Sequence, residues 1–353
     1  MAVIDADTHV DESDDTWSLL AASERRYRPM TVSNAPEGAD NRRRFWVVDG
    51  QLLLRHLRSD ERTGTVPQTR DLSDIPARIR QMDELGVDVH TIYPTFFLSQ
   101  PTNRPEVERA LCRAYNRWIA ERCAGSGGRL RWLAVLPTLD MGATLEEIRF
   151  ARDHGACGVH KRGIEAGLRG AGDDYFLPLY KAASEAGLAV CFHLALADAA
   201  VNPVEVPNSF WLKSLPVLDA CNQLVTCGIP KKLPELRVGF IEVGAAWVPY
   251  VMSELQSRHE RLAWSQSFEF SADLFRASRF FVACQTQEDI PYLLKCGLED
   301  CLVIGSDYSH GDMTSELNAL GVMRGRVEKG VLDAGVARKM LQDNPARLYG
   351  IAP

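Results

Sequence analysis

The sequence predicts an α/β protein folded as one (β/α)8 barrel with a small insertion after its first strand, and three observations carry that prediction. Eight short apolar runs rich in β-branched residues recur along the chain, each is followed by a longer amphipathic stretch, and five of them lead directly into residues able to bind a metal. In order, the runs are Ala2 to Asp7, Val87 to Tyr93, Leu130 to Leu136, Gly158 to Lys161, Leu188 to His193, Arg237 to Glu242, Arg279 to Cys284 and Cys301 to Ser306. The first intervening helix spans Ile75 to Leu85 and stops at Gly86. Another spans Glu106 to Cys123 and ends in Gly125-Ser126-Gly127-Gly128, where helix-breaking glycines accumulate. Counting elements alone also fits a doubly wound sheet.

The span 28–70 breaks this rhythm. It is polar and Arg-rich, with one alternating run around Phe45-Trp46-Val47-Val48-Asp49-Gly50-Gln51-Leu52, which reads as a hairpin insertion rather than a second domain. Residues 1–353 are therefore expected to form one domain. Pro203 to Pro207 and Pro230 to Pro234 read as loops flanking a helix at Leu212 to Thr226. One large core suits the 353 residues, of which 46% are hydrophobic and 25% charged. The net charge of −7 argues against nucleic-acid or anionic-membrane surfaces and points to a small-molecule substrate. Nine scattered cysteines without a C-x-x-C pair read as reduced thiols. No signal peptide or membrane-length apolar run is present in the sequence, so a cytoplasmic location is expected.

In a barrel the strand ends converge on one mouth, so the residues that close each run belong together. The first run gives Asp5-Ala6-Asp7-Thr8-His9-Val10-Asp11-Glu12, where simple alternation places Asp7 and His9 on one side, Asp5 deeper on that side, and Glu12 in the loop beyond. The fifth run ends in His193. The sixth ends in Glu242, a buried-strand carboxylate that needs a cationic partner, either a metal or an arginine such as Arg162. The eighth leads into Asp307 and His310 past the small residues Gly305 and Ser306, which allow close backbone approach. His160 in the fourth run reads as strand-end solvation. Lys161 and Arg162 beside it either pair with Glu165 or hold a substrate carboxylate. Taken singly, each residue has an ordinary explanation such as a cap, a core hydrogen bond or an ion pair. One metal site accounts for Asp7, His9, His193, Glu242 and Asp307 together.

Several motifs give the chain a resemblance to the amidohydrolase superfamily across nearly its whole length. They are Asp7-x-His9-x-x-Glu12, Met82-Asp83-Glu84-Leu85-Gly86-Val87-Asp88, Gly158-Val159-His160-Lys161-Arg162-Gly163, Cys191-Phe192-His193, Gly305-Ser306-Asp307-Tyr308-Ser309-His310 and Asn344-Pro345-Ala346-Arg347-Leu348-Tyr349-Gly350. The branch it resembles includes aromatic-acid decarboxylases, hydrolases and hydratases. That resemblance implies a metal held by Asp7, His9, His193 and Asp307. The first strand departs from the usual His-x-His, and Glu242 stands where many relatives carry a histidine. A smaller group that the chain also resembles, dinuclear non-heme iron monooxygenases, implies a second ion held by Glu12, Glu242 and His310.

The resulting expectation narrowly favours two irons and a monooxygenase that uses dioxygen and an unidentified electron donor. The alternative is one zinc or manganese ion in a hydrolase or decarboxylase, with Asp307 or Glu242 moving the proton. A third reading is a scaffold without turnover or metal. Lys161 or Arg162 would orient a substrate carboxylate, with Trp46, Tyr93, Phe96, Phe210, Trp211 and Trp247 as candidates for an apolar wall. The resemblance further implies a homodimer, with the 28–70 insertion as interface material.

Overall fold

A computed structural model describes residues 2–33, 44–55, 60–195, 213–262, 268–311 and 313–352. Its centre is an eight-stranded sheet in chain order: β1 (Ile4–Val10), β2 (Val89–Pro94), β3 (Leu130–Val135), β4 (Gly158–Arg162), β5 (Ala189–His193), β6 (Val238–Ile241), β7 (Phe280–Cys284) and β8 (Leu302–Ile304). Each consecutive pair is parallel. The ring closes where a parallel bridge joins Thr8 to Tyr308, with His9 N–H donating to the Tyr308 carbonyl and Asp307 N–H to the Asp7 carbonyl, both at 2.9 Å. This is the (β/α)8 barrel, not the doubly wound sheet.

Helices α1 (Ile75–Leu85), α2 (Pro105–Ala124), α3 (Met141–Asp153), α4 (Leu177–Glu185), α5 (Leu215–Thr226), α6 (Val248–Leu262), α7 (Ile290–Lys295) and α8 (Ala319–Glu328) follow the strands in turn, α1 preceding β2. Local chemistry sets α1. Asp74 accepts from Ala77 N–H at 2.9 Å, Pro76 occupies the first turn, and Gly86 stops the helix at φ 72. The main apolar core lies between strands and helices. A second one fills the barrel with Ala6, Leu133, Cys191, Ile241, Ala283 and Val303, stoppered by Leu348 and Tyr349 of the C-terminal helix Asn344–Tyr349. All nine cysteines are free thiols, and no helix among the described residues is long and apolar enough to cross a membrane.

The structure modifies three of the expectations about secondary structure. The first strand runs three residues further than expected, to Val10. The insertion is a three-stranded antiparallel sheet, Met30–Ser33, Arg44–Val48 and Gln51–Arg55, and Asp49 and Gly50 form its two-residue turn at φ 48 and 78. Instead of a loop, Ile229–Lys232 is a short helix, because a proline in the first turn forfeits no helical hydrogen bond. Pro203 to Pro207 lie outside the described residues.

Candidate metal centre

Asp7 and His9 reach the mouth through an irregularity in β1. Asp5 pairs with His90 and Thr8 with Ile92, so β1 carries one more residue than β2 across this interval, a β-bulge. Ala6 faces the barrel interior, whereas Asp5 bonds to Ser306 N–H at 2.9 Å and lies 3.9 Å from His90, itself bonded by Arg78 of α1. Asp5 therefore faces the helix layer, not the mouth as simple alternation suggested. The bulge restores an inward direction for Asp7 and His9. Gly305 makes room for it, since a Cβ there would lie 2.3 Å from the Asp7 Cβ.

Among the described residues, two overlapping groups of buried donors form: Asp7, His9, His193 and Glu242, and His9, Glu242, Asp307 and His310, with the ligand atoms of each group within 4.8 Å of one another. The Nε2 of His9 lies 3.5 Å from carboxylate oxygens of both Asp7 and Asp307, and the Nε2 of His193 lies 3.4 Å from those of Asp7 and Glu242. Two ligand atoms each about 2.1 Å from one tetrahedral ion stand about 3.4 Å apart, so the spacing suits a shared cation. The Nδ1 of His9 faces the Pro94 carbonyl at 3.2 Å and that of His193 faces the Leu194 carbonyl at 2.8 Å. A carbonyl only accepts, so each Nδ1 carries a proton and directs Nε2 at the cluster. Three carboxylates buried within this space also need positive charge to offset their repulsion and lost hydration.

The electrostatics without metal point the same way. Burial raises the Asp7 carboxyl, but His193 and His9 outweigh it and hold the group at about 2. Burial lowers His193, yet Asp7 and Glu242 raise it overall. In the metal-free chain, an ionised Asp7 and a His193 shifted toward its protonated form reproduce the charge pairing that a cation would satisfy. The backbone is strained here as well: Glu242, Asp307 and Ser309 hold φ of 62, 53 and 81, a left-handed region that side-chain-bearing residues enter at a cost.

A family model described as amidohydrolase matches residues 4–351. The chain belongs to this family. Solved structures with the same fold include an amidohydrolase from Mycobacterium avium subsp. paratuberculosis K-10, 22% identical with a TM-score of 0.79 over 99% of this chain and 98% of that one. A 5-carboxyvanillate decarboxylase from Sphingomonas paucimobilis is 15% identical, with a TM-score of 0.68 over 99% of each chain. A dihydroxybenzoic acid decarboxylase from Polaromonas sp. JS666, with bound manganese and the inhibitor 2-nitroresorcinol, is 16% identical, with a TM-score of 0.66 over 99% of this chain and 97% of that one. No curated protein sequence matches the chain.

In this amidohydrolase, the other residues expected at the site take different positions. Glu12 is buried beside the mouth, but its two oxygens accept from Thr95 N–H at 3.1 Å and Phe96 N–H at 2.8 Å, and it belongs to neither donor group. Burial raises its carboxyl to about 8. Lys161 pairs across β4 and β5 with Phe192 of the outer core, and its Nζ sits 3.7 Å from the Phe176 ring centroid and 3.4 Å from Glu165. It faces the helix layer, contrary to a role on substrate. Its neighbour His160 turns inward, its ring 5.7 Å from that of His193. Arg162 donates to the Phe97 and Ser99 carbonyls at 3.2 and 3.3 Å and to Glu165, which fixes the loop after β2.

The aromatic residues divide in the same way. Tyr93 lies under the imidazoles, its ring 4.8 Å from that of His193, with its hydroxyl 2.8 Å from the Tyr349 hydroxyl. Trp46 and Phe96 pack edge to face with Trp17, and Trp247 packs on Phe240 behind β6, so these three are core residues in the described structure. Phe210 and Trp211 lie outside the described residues. Thr314 went unrecognised in the sequence. Its hydroxyl lies 3.1 Å from Glu242 Oε1 and 3.0 Å from Asp307 Oδ2, bridging the two carboxylates, and a threonine in a polar loop carries no pattern that announces this.

Proposed function

We propose that this amidohydrolase is a metal-dependent lyase or hydrolase of a small carboxylate-bearing substrate, working with one manganese or zinc ion. The observation that carries the reading is the donor spacing. Asp7, His9, His193 and Glu242 converge at distances suited to one cation. The likeness to decarboxylases adds to it, one of them with bound manganese. When bound, the ion supplies Lewis-acid polarisation of a substrate oxygen or a water of lowered pKa.

The chain's residues supply the remainder. Nδ1 contacts to carbonyls hold both imidazoles in one tautomer, so their orientation is set before substrate arrives. Asp307 lies 2.7 Å from His310 Nδ1, and this pair holds the proton that a decarboxylated carbon or a hydrolytic leaving group requires. Tyr93 closes the floor beneath His193 and keeps water from below. Loss of carbon dioxide breaks the carbon–carboxylate bond, leaves its electron pair on carbon, and the proton from the Asp307–His310 pair quenches it.

A second reading retains two ions because the second donor group, His9, Glu242, Asp307 and His310, overlaps the first through His9 and Glu242. Two irons there would serve the oxygenase expected from sequence, with dioxygen and an electron donor consumed. Turnover separates the readings. Manganese-loaded enzyme incubated under nitrogen with a panel of hydroxybenzoates and of carboxylate-bearing esters and amides is expected to release carbon dioxide from the former or hydrolysis product from the latter at an undiminished rate. Product formed only with oxygen and reductant present would overturn the lyase or hydrolase proposal.

A further inference from the structure

A cavity of about 530 Å³ opens at the opposite pole of the barrel, where the chain enters β5 to β8. The volume is that of a small-molecule site. Along β6, Arg237 at this pole and Glu242 at the metal centre are separated by five residues, about 16 Å of strand, so the two sites are distinct. The cavity is lined by Arg237, Arg276, Arg279 and Arg347, by the carboxylates Glu235 and Asp300, and by Phe280 and Phe281.

The carboxylates around it are already engaged. Glu235 pairs with Arg279 at 2.7 Å, Asp273 pairs with Arg276, and Asp300 pairs with Lys339 at 2.9 Å. Arg237 has only backbone carbonyls, Arg347 O at 3.1 Å and Gly187 O, and no carboxylate among the described residues. Burial disfavours its charge, outweighing the opposing effect of Cys157 and Cys191. Arg279 itself holds φ 54, a left-handed conformation maintained at a long charged residue on the cavity rim. Arg347 lies 5.6 Å from the centre of the buried Phe281 ring, so its guanidinium is held over the end of the barrel core.

We propose that this cavity binds a small anion through a phosphate or carboxylate group that meets Arg237 and Arg276. A half-buried guanidinium without a carboxylate gains most from an oxyanion, and planar N–H forks suit both groups.

Isothermal titration of the metal-loaded enzyme with phenyl phosphate tests the assignment. Saturable binding of one molecule per chain is expected, weakened about tenfold or more in Arg237→Gln and in Arg276→Gln, since each removes a charge-assisted hydrogen bond. Arg276 is exposed and pairs with Asp273 next to it, so its variant folds even if Arg237→Gln, which loosens the C-terminal segment, does not. His193→Ala is expected to leave the affinity unchanged. No saturable binding, equal affinity in the arginine variants, or loss of binding in His193→Ala, which would put the ligand on the metal centre, each overturns the proposal.

Discussion

A carboxylate at the end of a buried strand is costly unless positive charge meets it, and Asp7, Glu242 and Asp307 converge at one place. Asp7, His9, His193, Glu242 and Asp307 were legible in the sequence for that reason: each closes or follows an apolar run, where a polar residue needs a purpose. Thr314 was not, because its role comes from a loop folding back over the cluster. Replacing it with valine leaves volume nearly unchanged but removes the hydroxyl shared by Glu242 and Asp307. Thr314→Val is expected to weaken metal affinity about 10- to 100-fold, read by competition with a chelator. Lys161 and His160 were misassigned by one position, because the sequence shows where a strand is but not which of two adjacent residues faces inward. The pH dependence of Lys161 follows from its position. Burial lowers its ammonium from 10.5 to about 8. The unfolded chain therefore binds the extra proton between those values, and the Lys161 contribution to stability is present above about 10.5 and lost as pH falls through about 8. Lys161→Met is expected to remove this rise, so that urea-unfolding free energies of wild type and variant change relative to one another between pH 8 and 10. A constant difference across that range would place the lysine in a solvated setting.

At the scale of elements, the functional mouth depends on how β1 meets β8. The bulge that turns Asp7 inward has no sequence signature, and for that reason strict alternation placed Asp5 on the wrong side. Gly305, by contrast, was recognised as a small residue permitting close approach, and the structure gives the contact it permits. A methyl group added there meets the Asp7 Cβ and backbone, so Gly305→Ala is expected to cost about 1–3 kcal/mol, as overpacking does, and to lower metal content along with the melting temperature. An unchanged melting temperature would show that β8 can move away without loss. The C-terminal helix acts at the other end of the same axis. Tyr349 donates to the Ala6 carbonyl at 2.6 Å and meets Tyr93 at 2.8 Å, which ties the barrel plug to the floor of the metal centre. Tyr93→Phe removes one buried hydrogen bond and is expected to cost about 1 kcal/mol in chemical denaturation while leaving metal stoichiometry intact.

For the whole molecule, the eight apolar runs and their order were readable because parallel strands buried on both faces must be apolar and crossover helices must be amphipathic. Their closure into a barrel depends on the contact of Thr8 and Asp7 with Tyr308 and Asp307, about 300 residues apart, which no local pattern encodes. The 28–70 insertion was recognised by its broken rhythm, but its third strand was not, since Met30–Ser33 is an exposed edge without a buried face to impose alternation. The same folding brings two overlapping donor groups into one mouth, where the sequence reading favours two irons and our proposal places one ion on the first group, Asp7, His9, His193 and Glu242. The most direct test is metal content per chain by plasma mass spectrometry, on wild type, His193→Ala and His310→Ala purified in parallel. About one manganese or zinc per chain is predicted, lost in His193→Ala and retained in His310→Ala. Two irons per chain, falling to one in His310→Ala, would contradict the single-ion account and return the enzyme to oxygen chemistry.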